Sequence, residues 1–556
     1  MPVFPRSIIG ALRAAVVAIP SLLWLPAVHA QSAAAGGDVA VRFDILEYVV
    51  VGNTVLSVPA IEAAVYRYLG PDRSTADAER ARKALEKAYQ DAGYLSVTVA
   101  LPVQRIDPEL GLVRLEVAEA PVERLRITGA QYFLPSRIAA QVPSVAPGSV
   151  PNFNDMQAEL NAVSQQTVDR EITPVVSAGE KPGTMAVELK VQDKLPLSAT
   201  VELNSKQAQN TERGRLEASI NYDNLFQQLH SIGLFWLVSP SRPADSNVLS
   251  LSYRLPLREA GDTLSLLYTR SDSDTPTALG GSTIARGNTL MLRRRDELRS
   301  PLGLLHALSW SLTYRDLQDR NADVAGFDTA APPLRYPSFA LSYDLARSGA
   351  DSARLTTLQA GITFGLKVTG QRTVDCGGIE LGQFACKRAG AEPSFQVVNL
   401  GLSHREPVLG KWSAHARLQG QFSSGPLVPA EQSTLGGVDS VRGYYEGEQA
   451  GDYSLALRLE LDSPPLFNAF NTVLKAQLFH DRAEIGREDP LPGETERSRM
   501  ASVGFGLRLE TRLGLQARLD WARVLLVTRS NNGLAPLSGK EAGRGSRVDL
   551  AVRQSF

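Results

Sequence analysis

The sequence predicts a signal peptide, two small α+β domains and a sixteen-stranded antiparallel transmembrane β-barrel. Three observations predict this class. The chain opens on a short apolar run with a small-residue ending. From about residue 41 to 194, helical and strand periods follow one another twice in the same order. After Lys194 the helical period gives way to strand-like runs of about ten residues, joined by links that are alternately long and short.

Residues 1–30 carry Arg6 and Arg13, no acid, an apolar run around Ala14 to Leu25, and an ending Ala27-Val28-His29-Ala30. This is the pattern of a secretory signal peptide cut before Gln31. A membrane anchor is disfavoured because the run is short and broken by Pro20 and Pro26. No cysteine follows the cut, which argues against a lipoprotein. Residues 31–40 form a short linker. The 43% hydrophobic content of the 556-residue chain excludes a largely disordered protein. Removing the leader leaves 56 basic against 59 acidic residues, and so nearly neutral a chain argues against a nucleic-acid partner. No later apolar run reaches about eighteen residues, so no membrane helix is expected; that leaves a barrel of alternating strands open.

The first α+β domain, residues 41–119, reads as a strand Val41–Val51, helices Val58–Leu69 and Thr75–Ala92, the second closed by Gly93, then strands Leu95–Val103 and Leu110–Val117. Residues 120–194 repeat the order: Val122–Thr128, a helical piece Pro135–Gln141, a longer helix Asn154–Gln166, then Ile172–Ser177 and Thr184–Val191. The alternative is a single α+β domain. Arg80, Arg82, Lys83 and Lys87 lie with Asp77, Glu79 and Glu86 on the second helix and read as a solvated, ion-paired face. Neither copy shows a nucleophile motif or a metal-ligand spacing.

Residues 195–556 form the barrel, with strands read from Ser198–Ser205 to Arg547–Phe556, sixteen in all, among them an eighth at Ser338–Tyr343, a ninth at Thr356–Val368 and a fourteenth at Ser502–Thr511. The odd-numbered links are mostly long and polar and the even-numbered ones mostly short, as around Gly514; a soluble propeller has no need of this asymmetry. In the last strand Val548, Leu550, Val552 and Phe556 share one face, while Asp549, Arg553 and Ser555 share the other. In the strand Thr472–Phe479, Lys475 and Gln477 would face a polar lumen. Cys376 and Cys386 fall in the fifth long loop and, in an exported protein, are expected to close it as a local disulfide; no histidine lies nearby to suggest a metal. The sixth long loop holds the glycine-rich stretch from Gly436 to Glu448. Its glycines allow tight bends, and Val441, Tyr444 and Tyr445 give its tip apolar surface that favours burial.

A signal peptide, two repeats, sixteen strands and Val441-Arg442-Gly443-Tyr444 in the sixth loop resemble the outer-membrane transporters of two-partner secretion, the hemolysin secretion/activation type. The resemblance covers nearly all of the mature chain. It implies that the repeats are polypeptide-transport-associated (POTRA) domains in the periplasm and that the sixth loop folds back into the barrel. It also implies that Arg442 pairs with the aspartate of a Phe-x-Asp-x-Gly motif, matched here by Phe479 and Asp481 at the end of the thirteenth strand, with Ala483 in place of the glycine. Phe556 resembles the terminal signal of such barrels.

The function so implied is translocation without enzymatic turnover. An unfolded secreted exoprotein of adhesin or cytolysin type would be caught by the POTRA domains through a strand edge or a helix–strand groove and passed through the barrel. Outer-membrane lipid and the assembly machinery that inserts the barrel are the other expected partners, with no cofactor, metal or nucleic acid. Some members carry a plug helix, for which residues 31–40 leave no room, so if the pore is closed the sixth loop must do most of it. The alternative within the superfamily is a barrel-assembly insertase, disfavoured by having two repeats rather than three or five. A hydrolase fused to a barrel is disfavoured by the lack of a Gly-x-Ser-x-Gly or zinc-protease motif, His480 beside Asp481 notwithstanding. A plain porin is disfavoured by the repeats.

Overall fold

The computed structural model describes residues 42–526 and 545–556, apart from positions 108, 210, 258–260, 273–276, 280–281, 285, 299, 301–303, 319, 323–327, 331, 350–352, 368–371, 409 and 493. The expected leader and linker therefore lie outside the described residues. No described helix is long and apolar enough to cross a membrane.

In the first α+β copy, the helix Thr75–Asp91 buries Ala78, Ala81, Leu85 and Tyr89, which recur every three or four residues and so form one stripe. A three-stranded sheet accompanies it: Glu47–Val51 runs parallel to Leu112–Ala118, which pairs antiparallel with Thr98–Ala100. The expected strand Val41–Val51 is interrupted. Leu46 and Glu47 both donate their amides to the Gly111 carbonyl, and the residues before them, Arg42–Ile45, pair instead with a strand the pattern did not reveal, Gly70–Ser74. The expected strand Leu95–Val103 shrinks to Thr98–Ala100.

The second copy has the same parallel pairing, Val122–Thr128 beside Met185–Asp193, with Arg170–Ala178 antiparallel to the latter. Its core includes Phe133, Ile138, Met156, Leu160, Val187 and Leu189. A fully buried leucine or isoleucine of this kind contributes roughly 1.5–3 kcal/mol. The duplication reaches single residues. Gly52 and Gly129 end the first strand of each sheet with positive φ, and a Cβ on either would stand 2.3 Å from a carbonyl oxygen of the parallel partner strand, Val117 or Val191. Only glycine fits both constraints.

This second copy meets the barrel at the barrel's first short turn. Gln227 and Asn224 donate to the Tyr132 carbonyl at 3.0 and 3.2 Å, and the Leu134 amide donates to Gln227 at 3.0 Å. On the other side of the same loop, Asp193 accepts the amides of Gln131, Tyr132 and Phe133.

The barrel closes through sixteen antiparallel strands. In order they are Leu197–Asn204, Arg215–Leu225, His230–Val238, Asn247–Pro256, Thr263–Ser271, Gly287–Leu298, Leu305–Leu317, Leu334–Ser348, Leu355–Gly365, Gln396–Pro407, Ser413–Ser423, Tyr453–Asp462, Thr472–Gly486, Arg497–Thr511, Leu515–Val524 and Ser546–Ser555. A three-residue piece, Phe467–Ala469, adds to the thirteenth strand at its short-turn end. The last strand pairs with the first from Ala551↔Asn204 to Ser555↔Thr200, which leaves no free sheet edge. One face of the wall presents exposed Leu234, Trp236, Leu402, Phe422, Phe505 and Leu550 outward, and the residues between them point into the lumen.

Several strands extend further toward the long loops than expected. The eighth begins at Leu334 rather than Ser338, the thirteenth runs on from Phe479 to Gly486, and the fourteenth begins at Arg497 rather than Ser502. The ninth stops earlier, at Gly365. Charged residues at these ends, Arg335, Arg482, Glu484, Arg497 and Arg499, imitate loop composition, although they alternate with buried Tyr336, Ala483, Ile485 and Met500 and the period of two still marks a strand.

Candidate functional site: the loop inside the barrel

The sixth long loop joins the eleventh strand to the twelfth and is built on a hairpin stem, Ser433–Leu435 paired with Gln449–Gly451. Its glycine-rich tip is held by its own polar groups. The Gly436 amide donates to Ser440 Oγ at 2.8 Å, the Gly437 amide to the Val441 carbonyl at 3.1 Å, and the Val438 amide to Glu446 Oε1 at 3.0 Å. Val441, Arg442 and Tyr444 are almost wholly buried, which for an arginine requires a complete set of partners.

Arg442 has that set. Its Nε and Nη2 donate to the two carboxylate oxygens of Asp481, each at 2.7 Å, and its backbone amide adds a third bond to Asp481 at 3.0 Å. Nη1 reaches Gln477 Oε1 at 3.2 Å and Glu460 Oε1 at 3.0 Å. The guanidinium lies over the Phe479 ring, 3.5 Å from its centroid. This is the forked carboxylate geometry that lysine cannot supply.

The partners come from neighbouring strands by the period of two. Gln477, Phe479, Asp481, Ala483 and Ile485 alternate inward along the thirteenth strand. Asp481 therefore sits well within that strand, a correction to its expected place at the strand end. Ala483, where the motif of the resembled family has glycine, pairs in regular register with Ala456 on one side and Met500 on the other. It packs with Leu435, Val441, Tyr444, Ile485, Met500 and Val524, so the methyl group lies in the apolar patch beneath the loop tip.

Gly443 and Tyr444 complete the seat. Gly443 has φ +92°, and a Cβ there would lie 3.2 Å from both Ala522 Cβ and Val524 Cγ2. The Tyr444 hydroxyl donates to the Leu526 carbonyl and accepts the Ala501 amide at 3.0 Å.

Other residues of this network were not singled out in the sequence. Arg458 bonds Glu460 at 3.1 Å and the Val438 carbonyl of the loop at 3.3 Å. His415 contacts Glu460 at 3.1 Å, and Arg508 joins Gln477 and Asp520, each at 2.6 Å. A signal existed for Arg458 and Glu460: Arg458-x-Glu460-x-Asp462 puts charged groups at every second position on one face.

The loop's neck has a second set of contacts. Fully buried Asp452 accepts from the Leu427 amide, Gln432, the Glu488 amide and Arg388, at 2.9 to 3.1 Å. It thereby connects three long loops. Arg388 follows a short helix, Gln383–Lys387, that the disulfide Cys376–Cys386 staples into the fifth loop. Phe384 of that helix packs with Leu427, Val428 and Ala430 of the neck and with Tyr336 and Phe395 of the wall. Glu431 takes the Tyr336 hydroxyl at 2.6 Å and pairs with Arg315. Phe556 lies far from all of this; it is exposed, and its amide donates to the Ala199 carbonyl at 2.9 Å where the last strand meets the first.

Comparison with known proteins gives two family matches. Residues 338–509, a span that includes Arg442 and Asp481, match the haemolysin secretion/activation protein family ShlB/FhaC/HecB. Residues 43–120 match the ShlB-type POTRA domain. The outer membrane transporter CdiB of Escherichia coli O6:K15:H31 (strain 536 / UPEC) is 25% identical over 439 residues, 75% of this chain and 68% of that protein. CdiB of Dickeya dadantii (strain 3937) is 25% identical over 391 residues, 67% of this chain and 64% of its own. Among solved structures, CdiB from Escherichia coli superposes with TM-score 0.56 at 18% identity, over 95% of this chain and 93% of its own. BamA from Haemophilus ducreyi lacking POTRA domains 1–3 superposes with TM-score 0.54 at 13% identity, over 93% and 100%. At these identities the two structures speak to the fold.

Proposed function

We propose that this chain, a member of the haemolysin secretion/activation family of outer-membrane transporters, moves one exoprotein partner from the periplasm to the outside through its barrel. In this reading the POTRA domains take the partner up unfolded, through an exposed strand edge or a helix–strand groove, and the sixth loop stays folded in the lumen as part of the pore. The family is one of transporters, and no step requires bond making or breaking. The observation that carries the reading is the union, in one chain, of a ShlB-type POTRA domain with a family-matched barrel segment. The Arg442–Asp481 fork supports the place given to the loop, because two buried opposite charges with full hydrogen bonding fix a loop where a surface pair would not.

The test is deletion of the gene, followed by inventory of the proteins in the medium and in the outer membrane. Loss of one large exoprotein, restored by the intact gene and restored poorly by Arg442→Ala, is the expected result. A general fall in outer-membrane barrels with every exoprotein retained would assign the chain to barrel assembly instead.

A further inference from the structure

Two neighbouring parts of the lumen wall are unlike, one covered by the sixth loop and one open. From the twelfth to the fifteenth strand, inward residues such as Phe479, Asp481, Met500, Ser502 and Ala522 are buried beneath the sixth loop. The eighth to eleventh strands differ. Paired residues on neighbouring antiparallel strands point to the same face, so the inward face can be followed from Arg458, which reaches the loop. Arg458 pairs with Arg417; next in the same face come Gln419, opposite Gly401, then Gln359, while Gly361 pairs with Asn399 and Ser342. Gln359, Asn399 and Gln419 are exposed to the lumen. The lane between them is made of small or amide side chains and is bordered by two charges of opposite sign, Asp344 opposite Gln359 and Arg417 two residues from Gln419, and its opposite face carries Leu400, Leu402 and Leu418 toward lipid.

The two glycines of this lane are informative because the fold does not require them. Neither has a positive φ, and a Cβ on Gly361 or Gly401 would approach its nearest neighbours only to 3.5 Å, an ordinary contact. Gly504, on the covered part, is different: a Cβ there would stand 2.1 Å from the Trp521 carbonyl. Glycine at 361 and 401 keeps the lumen clear rather than the wall intact.

Resting on the transport reading above, we infer that the exported polypeptide runs along this lane of the eighth to eleventh strands, past a sixth loop that stays pinned to the adjoining twelfth to fifteenth strands. A wall whose middle is hydroxyl, amide and glycine groups offers an extended chain brief hydrogen bonds and no apolar patch to hold it, with the charges of Asp344 and Arg417 confined to its borders, which suits a passenger of varied sequence. At the long-loop end the lane passes under the cluster of Phe384, Leu427, Val428, Tyr336 and Phe395. That cluster, and not the Arg442 fork, is the closure the passenger displaces.

The experiment uses the full-length protein in bilayers and in cells. The chain has two cysteines and they are bridged to one another, so an introduced thiol is the reactive one. A cationic methanethiosulfonate is expected to lower the ion current at least twofold for Asn399→Cys and Gln419→Cys. It should leave Leu400→Cys, which faces lipid, and Ser502→Cys, which lies under the loop, unchanged. In cells Gly361→Trp and Gly401→Trp should cut export of the exoprotein identified by gene deletion at least tenfold, at unchanged barrel level in the membrane. If those variants insert poorly, thiol modification of Asn399→Cys on intact cells gives the same reading on folded protein. Modification of Ser502→Cys as fast as Asn399→Cys, or full export with a bulky lane, overturns the inference. A deletion strain that loses no exoprotein overturns the transport reading itself.

Discussion

Arg442 is held by Phe479 as well as by Asp481: its guanidinium lies 3.5 Å from the ring centroid while two of its nitrogens reach the carboxylate at 2.7 Å. The inward period of two along one strand thus places an aromatic face and an anion around the same cation. The two contacts should separate by size. Asp481→Asn takes the forked counter-charge from a buried cation and leaves it only Glu460 at 3.0 Å, at a cost of about 3–5 kcal/mol. Phe479→Leu keeps an apolar side chain and loses only the ring interaction, about 1–2 kcal/mol. Thermal unfolding of the purified barrel should rank them in that order, with Arg442→Lys between wild type and Asp481→Asn because lysine keeps the charge and loses the fork.

Gly443→Ala should harm the loop without touching any charge. Its φ of +92° strains an L residue, and the added Cβ would press within 3.2 Å of Ala522 and Val524. The backbone strain alone costs about 1–3 kcal/mol. Single-channel recording is expected to show frequent large-conductance excursions as the tip leaves its seat, at normal barrel abundance. Quiet traces identical to wild type would show that the tip tolerates the methyl group.

Asp452 offers an independent handle on the neck. Asp452→Asn preserves shape but weakens bonds from Arg388, Gln432 and the amides of Leu427 and Glu488. Bonds to a charged acceptor contribute roughly 1.5–3 kcal/mol each on removal of the charge. Protease added to whole cells should then cut the fifth to seventh loops faster than in wild type, while the bridge Cys376–Cys386 still forms. Reduction of that bridge should produce a similar rise in cleavage confined to the fifth loop, since closing so short a loop contributes about 2–3 kcal/mol.

How much of this could be read beforehand follows from the range of each signal. Strand periodicity and loop alternation are local, and the barrel, its sixteen strands and the Cys376–Cys386 bridge were legible from them. Where the strands end was not, because polar residues such as inward Asp481 and outward Glu484 look like loop. The Arg442–Asp481 proximity could be expected only through resemblance, since 39 residues separate the two. Arg388 and Asp452, 64 residues apart, carried no motif at all; long-range partners of this kind are set by how loops pack in three dimensions. The interrupted strand at Leu46 depends on a carbonyl of Gly111, again beyond the reach of any local pattern.

The first POTRA domain should carry an acid-labile element at the start of its long helix. Asp77 sits three residues after Ser74, and its carboxylate accepts the Ser74 hydroxyl at 2.8 Å and the Ser74 amide at 3.0 Å, so the acid in the first turn reaches back to the residue before the helix. The hydroxyl first, then the amide, lower the carboxyl from 3.8 to about 2. A folded-state value below the unfolded one means the carboxylate binds its proton less readily in the fold. The added stability is therefore complete above about pH 4 and is lost as pH falls through about 2. Hydrogen exchange at the amides of residues 75–79 should accelerate across that window in the wild type. In Asp77→Asn exchange should be faster than wild type at neutral pH and lack the acid step. An Asp77→Asn protein that keeps the same acid step would assign the step to another carboxylate.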